Sequence, residues 1–130
     1  MIIADTDVLI DFLQGRQPGA QAVADAIAAG QLSTTTVTAF ELLSAARQTH
    51  HRFKVISDLF DAAPPLPLDL NSAAKAAEVH RELERSGVSI GMADSLIAGI
   101  VLHNGGKLLT RNKRHFERVR DLLVLDPASG

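Results

Sequence analysis

Met1-Ile2-Ile3-Ala4-Asp5-Thr6-Asp7-Val8-Leu9-Ile10-Asp11-Phe12 decides how the rest of the chain is read. Four apolar residues run into an aspartate, and the pattern changes at once. Val8, Leu9 and Phe12 then recur at helical spacing, so the stretch predicts a buried strand feeding a helix. In open α/β sheets, functional groups gather at the carboxyl ends of strands. Asp5 falls at such an end. On its own it has a plain alternative role, as a cap for the helix that begins near Val8.

Working outward, Gly15 and Pro18 close the first helix, and Ala20 to Ala29 forms a second with Gly30 as its stop. The β-branched run Leu32 to Thr36 predicts a strand. Thr38 to Gln48 predicts a helix that is apolar over much of its surface (Phe40, Leu42, Leu43) and therefore buried. A helix over Phe53 to Ala62 is broken by the prolines at 64, 65 and 67, which lead into a short extended segment. Asn71 or Ser72 is the expected cap of a helix reaching Ser86, with Glu78–Arg81 and Glu82–Arg85 pairing along its exposed side. Ile90 to Asp94 opens a helix to Leu102. Asn104-Gly105-Gly106 turns into a strand over Lys107 to Thr110, and Leu122 to Leu125 is the last strand. Strands alternating with helices predict a parallel sheet covered on both faces.

Composition narrows the classes. At 130 residues the expectation is one domain spanning 1–130. A hydrophobic fraction of 46% excludes a disordered chain. A net charge of -2 argues against a protein that coats nucleic acid. There is no cysteine, hence no disulfide framework and no thiolate metal site, which fits a cytoplasmic location. Asp5 and Asp7 interrupt the N-terminal apolar run, so it does not read as a signal peptide, and no run reaches membrane-spanning length. Aromatic residues are 4%, all phenylalanine, which argues against base-stacking platforms.

Two further acids stand in apolar helical surroundings. Glu41 follows Phe40, and an unpaired buried carboxylate is costly, so it needs either a basic partner or a cation. Asp94 sits near a helix start, where the macrodipole favours an acid. Taken together with Asp5, the odds change, because a parallel sheet brings such positions close. Two like charges about 5 Å apart repel by about 3 kcal/mol at an effective dielectric near 20. A cluster of this kind takes up protons or binds a cation, and carboxylates alone select hard ions such as Mg²⁺ or Mn²⁺. The chemistry that uses such a site is phosphodiester hydrolysis. Lys107, Arg111, Lys113, Arg114, Arg118 and Arg120 fall within one short stretch, either as a solvated basic face or as a place for phosphates. Thr110 and Asn112 read as turn formers or as groups that fix a water or the substrate.

These residues resemble the PIN-domain ribonucleases, and among them the VapC-type toxins of type II toxin–antitoxin pairs. The resemblance lies in Ile3-Ala4-Asp5-Thr6-Asp7-Val8-Leu9-Ile10-Asp11, Val37-Thr38-Ala39-Phe40-Glu41-Leu42, Ala93-Asp94-Ser95-Leu96-Ile97-Ala98 and Thr110-Arg111-Asn112-Lys113-Arg114-His115-Phe116. It implies an α/β/α sandwich around a parallel sheet of about five strands. It also implies an endoribonuclease that hydrolyses RNA phosphodiester bonds through a metal-activated water, with Mg²⁺ or Mn²⁺ as cofactor. Carried over residue by residue, Asp5 and Asp94 become direct metal ligands, and Glu41 ligates directly or through a water. Asn112 replaces a fourth acid and orients a water. Arg111, Lys113 and His115 become substrate contacts, with His115 also to be tested as a base. Asp7 is assigned a local hydrogen bond and Asp11 an outward or capping place. His50, His51, His80 and His103 read as surface or boundary residues. The implied partners are RNA, a cognate antitoxin, promoter DNA reached only through that antitoxin, and a second copy in a homodimer, with no membrane. The competing readings are a PIN-fold DNA nuclease or another metal phosphohydrolase, and a binding module that keeps the fold. A receiver-like phosphoacceptor would need a lysine where Thr110 and Arg111 stand.

Overall fold

The structure, a computed structural model, describes residues 1–46 and 50–128. The opening stretch folds as strand β1 (Ile2–Ala4) followed by helix α1 (Thr6–Gln14), with Asp5 between them. Asp5 has extended backbone, and its carboxylate accepts the Thr6 N–H at 2.8 Å, so it is the N-cap of α1. Gly15 ends α1 at φ 69°, a left-handed conformation that glycine adopts without a Cβ clash. The chain continues through α2 (Gly19–Ala28), β2 (Leu32–Thr35), α3 (Thr36–Ala45), α4 (His50–Ala62) and β3 (Pro65–Leu66). It closes with α5 (Leu70–Arg85), α6 (Met92–Asn104), β4 (Lys107–Leu109), α7 (Lys113–Phe116) and β5 (Leu123–Leu125).

The five strands form one parallel sheet in the order β3-β2-β1-β4-β5. Ile3 pairs with Leu108 and Ala4 with Leu109. Successive side chains on a strand point to opposite faces. Ile3 and Leu108 therefore pack with Val79, Ile97, Val101 and Phe116 from α5, α6 and α7. Ala4 and Leu109 pack on the other face with Val8, Leu9, Val23 and Leu59 from α1, α2 and α4. Ile3, Ala4, Val8 and Leu9 are completely buried. This is the expected α/β/α sandwich with a central five-stranded sheet. Among the described residues, no helix is long and apolar enough to cross a membrane.

Helices α5 and α6 meet closely where Gly99 faces Ala76. A Cβ on Gly99 would lie 2.6 Å from the Ala76 backbone nitrogen. That contact sets the height of α6, which carries Asp94.

Three local expectations need correction. Helix α3 is not buried over much of its surface: only Thr38 and Leu42 are, while Phe40 is 69% exposed and Leu43 43%. An apolar composition offers surface for burial, but no other described element covers that side. The helix ends at Ala45, and Gln48 lies outside the described residues. At α5 the cap is Asp69, whose carboxylate accepts the Ser72 N–H at 2.9 Å, rather than Asn71 or Ser72. The ion pairs on this helix are Lys75–Glu78 and His80–Glu84, while Glu82 reaches Arg120 at 3.7 Å. They replace the expected arginine pairs.

Candidate active site

Strand β1 is central, and the chain leaves it toward β2 on one side while β4 returns on the other. The carboxyl ends of β1 and β4 thus flank a topological switch point, the usual place for a crevice in such a sheet. Asp5 follows β1 and Thr110 follows β4, and the Asp5 N–H continues the ladder to the Leu109 carbonyl at 2.9 Å. Asp5 is 7% exposed. One carboxylate oxygen holds the Thr6 N–H and the other takes the Thr110 hydroxyl at 2.8 Å. Burial, followed by the neighbouring charge of Asp7, pushes its pKa up to about 7 in spite of those hydrogen bonds.

Asp7 stands in the first turn of α1. Its Oδ2 lies 3.3 Å from the Thr110 hydroxyl and accepts the Arg111 backbone N–H at 3.1 Å. Its Oδ1 is buried and has no hydrogen-bond partner. Burial raises its pKa, while the Arg111 charge pulls the other way. Its Oδ2 partners are more than a hundred residues away in sequence, so Asp7 ties the sheet end together in addition to a local interaction with the Val8 N–H.

Glu41 is placed by α3, which starts directly after β2 with Thr35 as its cap. The Thr6 oxygen lies 2.7 Å from Glu41 Oε1 and 3.0 Å from the Thr38 hydroxyl. Thr6 has one hydroxyl proton. The shorter contact and the charged acceptor direct it to Glu41, and Thr38 then donates to Thr6. Asp94 sits in the first turn of α6, with Oδ2 3.0 Å from His115 Nε2, which also lies 3.0 Å from the Ile90 carbonyl. Burial raises the Asp94 pKa, His115 opposes it, and the charges of Glu41 and Asp7 raise it further.

Asp5, Asp7, Glu41 and Asp94 therefore lie within one another's fields at one end of the sheet. They do not form a tight cage: among the described residues no three acidic or histidine side chains converge on a single point. Threonine hydroxyls stand between them instead.

The other expected site residues are scattered. Asn112 is exposed just before α7; its backbone N–H donates to the Thr110 hydroxyl at 3.0 Å, and its side chain does not cap that helix. Lys113 is exposed on α7. The basic run does not form one strip. Lys107 begins β4, at the opposite end of the sheet from Asp5. Arg120 turns to Glu82, and Arg118 lines a cleft with Leu83 and Ser86. A strand, a turn and a short helix separate these residues by direction, although they are close in sequence. Arg111 folds back so that its Nε lies 2.7 Å from Asp11 Oδ2. Asp11 is 4% exposed, so its expected outward place is wrong. His51, His80 and His103 are exposed as expected, and the side chain of His50 lies outside the described residues. Reasoning from sequence missed Thr6 and Thr38. The available signal was a hydroxyl residue immediately after Asp5 and another three residues before Glu41.

A PIN domain model matches residues 2–122. The tRNA(fMet)-specific endonuclease VapC of Shigella flexneri is 30% identical over 100 residues, covering 75% of this chain and 76% of that protein. Ribonuclease VapC1 of Methanocaldococcus jannaschii is 26% identical over 123 residues, covering 92% and 82%. Among solved structures, VapBC2 of Rickettsia felis bound to a promoter DNA fragment superposes with a TM-score of 0.83 at 18% identity, over 97% of this chain and 98% of that one. A toxin–antitoxin complex of Klebsiella pneumoniae gives 0.76 at 20% identity, over 98% of each. At these identities the solved structures establish a shared fold.

Proposed function

Because the chain belongs to the PIN-domain family, we propose that it is a divalent-metal-dependent endoribonuclease, one domain over residues 1–130, acting as the toxin of a toxin–antitoxin pair. The observation that carries this reading is the gathering of Asp5, Asp7, Glu41 and Asp94 at the switch point where, among the described residues, His115 is the basic side chain that hydrogen-bonds to them. Relatives named as an endonuclease and a ribonuclease support the reaction class. Neighbours that are toxin–antitoxin and promoter-bound complexes support a cognate antitoxin, with promoter DNA reached through it. Exposed Phe40, Leu70 and Met92 supply apolar surface for protein partners, including a second copy in a homodimer.

The side chains present fit a hard divalent cation. The donors are carboxylates, Asp7 keeps a buried oxygen without a partner, and burial already holds the proton affinities of Asp5, Asp7 and Asp94 high. The open spacing suits Mg²⁺ or Mn²⁺ held by one or two carboxylates with water in the remaining positions. Asp5 and Asp94 are the direct ligands in this reading, with Glu41 completing the site. When bound, the cation supplies Lewis-acid polarisation of a phosphoryl oxygen and lowers the pKa of water. The protein groups supply orientation. Thr110 turns the Asp5 carboxylate, Thr6 fixes that of Glu41, and His115 restrains Asp94. Asn112 and Lys113 stand exposed at the rim, where substrate arrives.

The test compares RNA and DNA of one sequence with Mg²⁺, Mn²⁺ or a chelator. RNA cleavage that needs the cation and falls at least about 100-fold in Asp94→Asn is expected, an effect of the size seen when a charge-stabilising group is lost. Undiminished cleavage by that variant, or in chelator, overturns the site assignment. Preference for DNA overturns the ribonuclease reading.

A further inference from the structure

An ion pair between a buried carboxylate and a half-exposed guanidinium stands one helical turn from the other acids. Asp7 and Asp11 are four residues apart on α1 and so share a face. Asp7 accepts the Arg111 backbone N–H, and Asp11 Oδ2 lies 2.7 Å from the Arg111 Nε. Both acids thus grip the first residue beyond Thr110. The place for Asp11 is also fitted by α2: a Cβ on Gly19 would fall 2.5 Å from Asp11 Oδ2 and 2.8 Å from its Cβ. Glycine at that point lets α2 lie against the carboxylate.

Asp11 is buried, whereas the Arg111 side chain is 50% exposed. The pair engages one of five guanidinium donors. Among the described residues the terminal nitrogens of Arg111 take no hydrogen bond. A buried carboxylate on the inner nitrogen holds the planar fork in one orientation, with its outer edge toward solvent beside Asp7. We infer that Asp11 is a positioning residue that aims Arg111 at an RNA phosphate arriving at the acidic site. This rests on the ribonuclease reading above. A lysine at 111 would not serve, since its single ammonium would stay with Asp11.

The test measures binding of a fluorescent single-stranded RNA to the full chain in chelator, by anisotropy over a range of salt, so that cleavage plays no part. Arg111→Gln is expected to weaken binding roughly tenfold, the scale of one charge-assisted contact. It should also lower the slope of log K against log salt by about 0.7, the value for one phosphate in a single strand. Asp11→Asn should give the same loss, and the double variant no more. The sign discriminates: removing an acid strengthens RNA binding through charge alone, so a loss acts through Arg111. Tighter or unchanged binding by Asp11→Asn overturns the inference, as does RNA binding indifferent to Arg111→Gln. If circular dichroism shows Asp11→Asn unfolded, Arg111→Lys decides: loss equal to that of Arg111→Gln supports the inference, and full affinity overturns it. Arg111-dependent binding by a wild type that does not cut RNA with Mn²⁺ sinks the ribonuclease reading. Cleavage with no dependence on Arg111 sinks this inference alone.

Discussion

Replacing Asp5 by Asn should stabilise the cation-free protein while abolishing cleavage. In the folded chain the Asp5 carboxyl has its pKa raised from 3.8 to about 7, by burial first and by Asp7 next. Between those values the folded state binds the proton and the unfolded state does not, so stability falls as pH rises from about 4 to 7. Above pH 7 the full penalty applies. At 1.36 kcal/mol per unit it amounts to about 4 kcal/mol, with roughly half that as a lower figure once water relaxes around the charge. Asn removes the charge without losing the other contacts. It caps a helix about as well as Asp, so the Thr6 N–H keeps its acceptor. The introduced amide nitrogen can donate to the Thr110 oxygen, whose proton is then released wholly to Asp7. The variant should therefore exceed wild type by about 2–4 kcal/mol at pH 8, or roughly 5–15 °C in Tm for a chain of this size. By pH 5 the gap should have fallen to less than half, and it should close only near pH 4, below which both states hold the proton. Added Mn²⁺ should raise the wild-type Tm, by the equivalent of about 2.7 kcal/mol at 100 times Kd, and leave the variant where it was. Thermal melts in chelator at the two pH values, repeated with Mn²⁺, measure all of this. A variant less stable than wild type at pH 8, or a gap that does not change with pH, would refute the reasoning.

Thr6→Val removes the hydroxyl that holds Glu41 at 2.7 Å and leaves the Thr38 hydroxyl without that acceptor. Single-turnover cleavage should fall about 10–100-fold, the usual range for a residue that orients a ligand, with the melt lowered by only about 1–2 kcal/mol. An unchanged rate would mean that Glu41 needs no tether. Gly99→Ala places a Cβ 2.6 Å from the Ala76 backbone, so α5 and α6 must separate. Urea unfolding should show a loss of about 1–3 kcal/mol, and a gain would mean that the helices part freely.

The opening stretch was legible because its two periods differ: Ile2–Ala4 had to be buried on both faces, and the change of pattern at Asp5 marked the end of the strand. Whether Asp5 was a cap or a site residue looked like a choice. The structure makes it the cap of α1 and also places it among the other acids, because the group that closes β1 is the one facing the switch point. Pairings across long stretches of chain were not legible. Thr6 with Glu41 and Arg111 with Asp11 depend on how the strands are ordered, which local patterns do not encode. The helical period in the sequence begins near Val8, which left Asp7 off the face that it shares with Asp11 in α1. The exposure of α3 was hidden for a related reason, since Phe40 and Leu43 report hydrophobicity and not the presence of a neighbour.

The chemistry of the groups between the acids bears on what the acids are for. Carboxylates gathered for stability are ordinarily neutralised by basic partners, because leaving like charges together in a buried place is costly. Here the contacts to Asp5 and Glu41 come from Thr110, Thr6 and a backbone N–H, which orient a carboxylate without cancelling its charge. Arg111 pairs its guanidinium with Asp11 and gives Asp7 a backbone N–H, and its charge offsets only part of the burial that raises the Asp7 pKa. Among the described residues His115 is the one basic side chain bonded to the set, and Asp94 still has its pKa raised. Sheet and helix packing thus hold these acids near one another against their mutual repulsion, which adds to burial in raising the pKa values of Asp5 and Asp94. Proton uptake relieves that repulsion at Asp5 below about pH 7, and on the reading proposed above a divalent cation would relieve it at higher pH. Asn112, exposed and uncharged just before α7, adds no further carboxylate to the set.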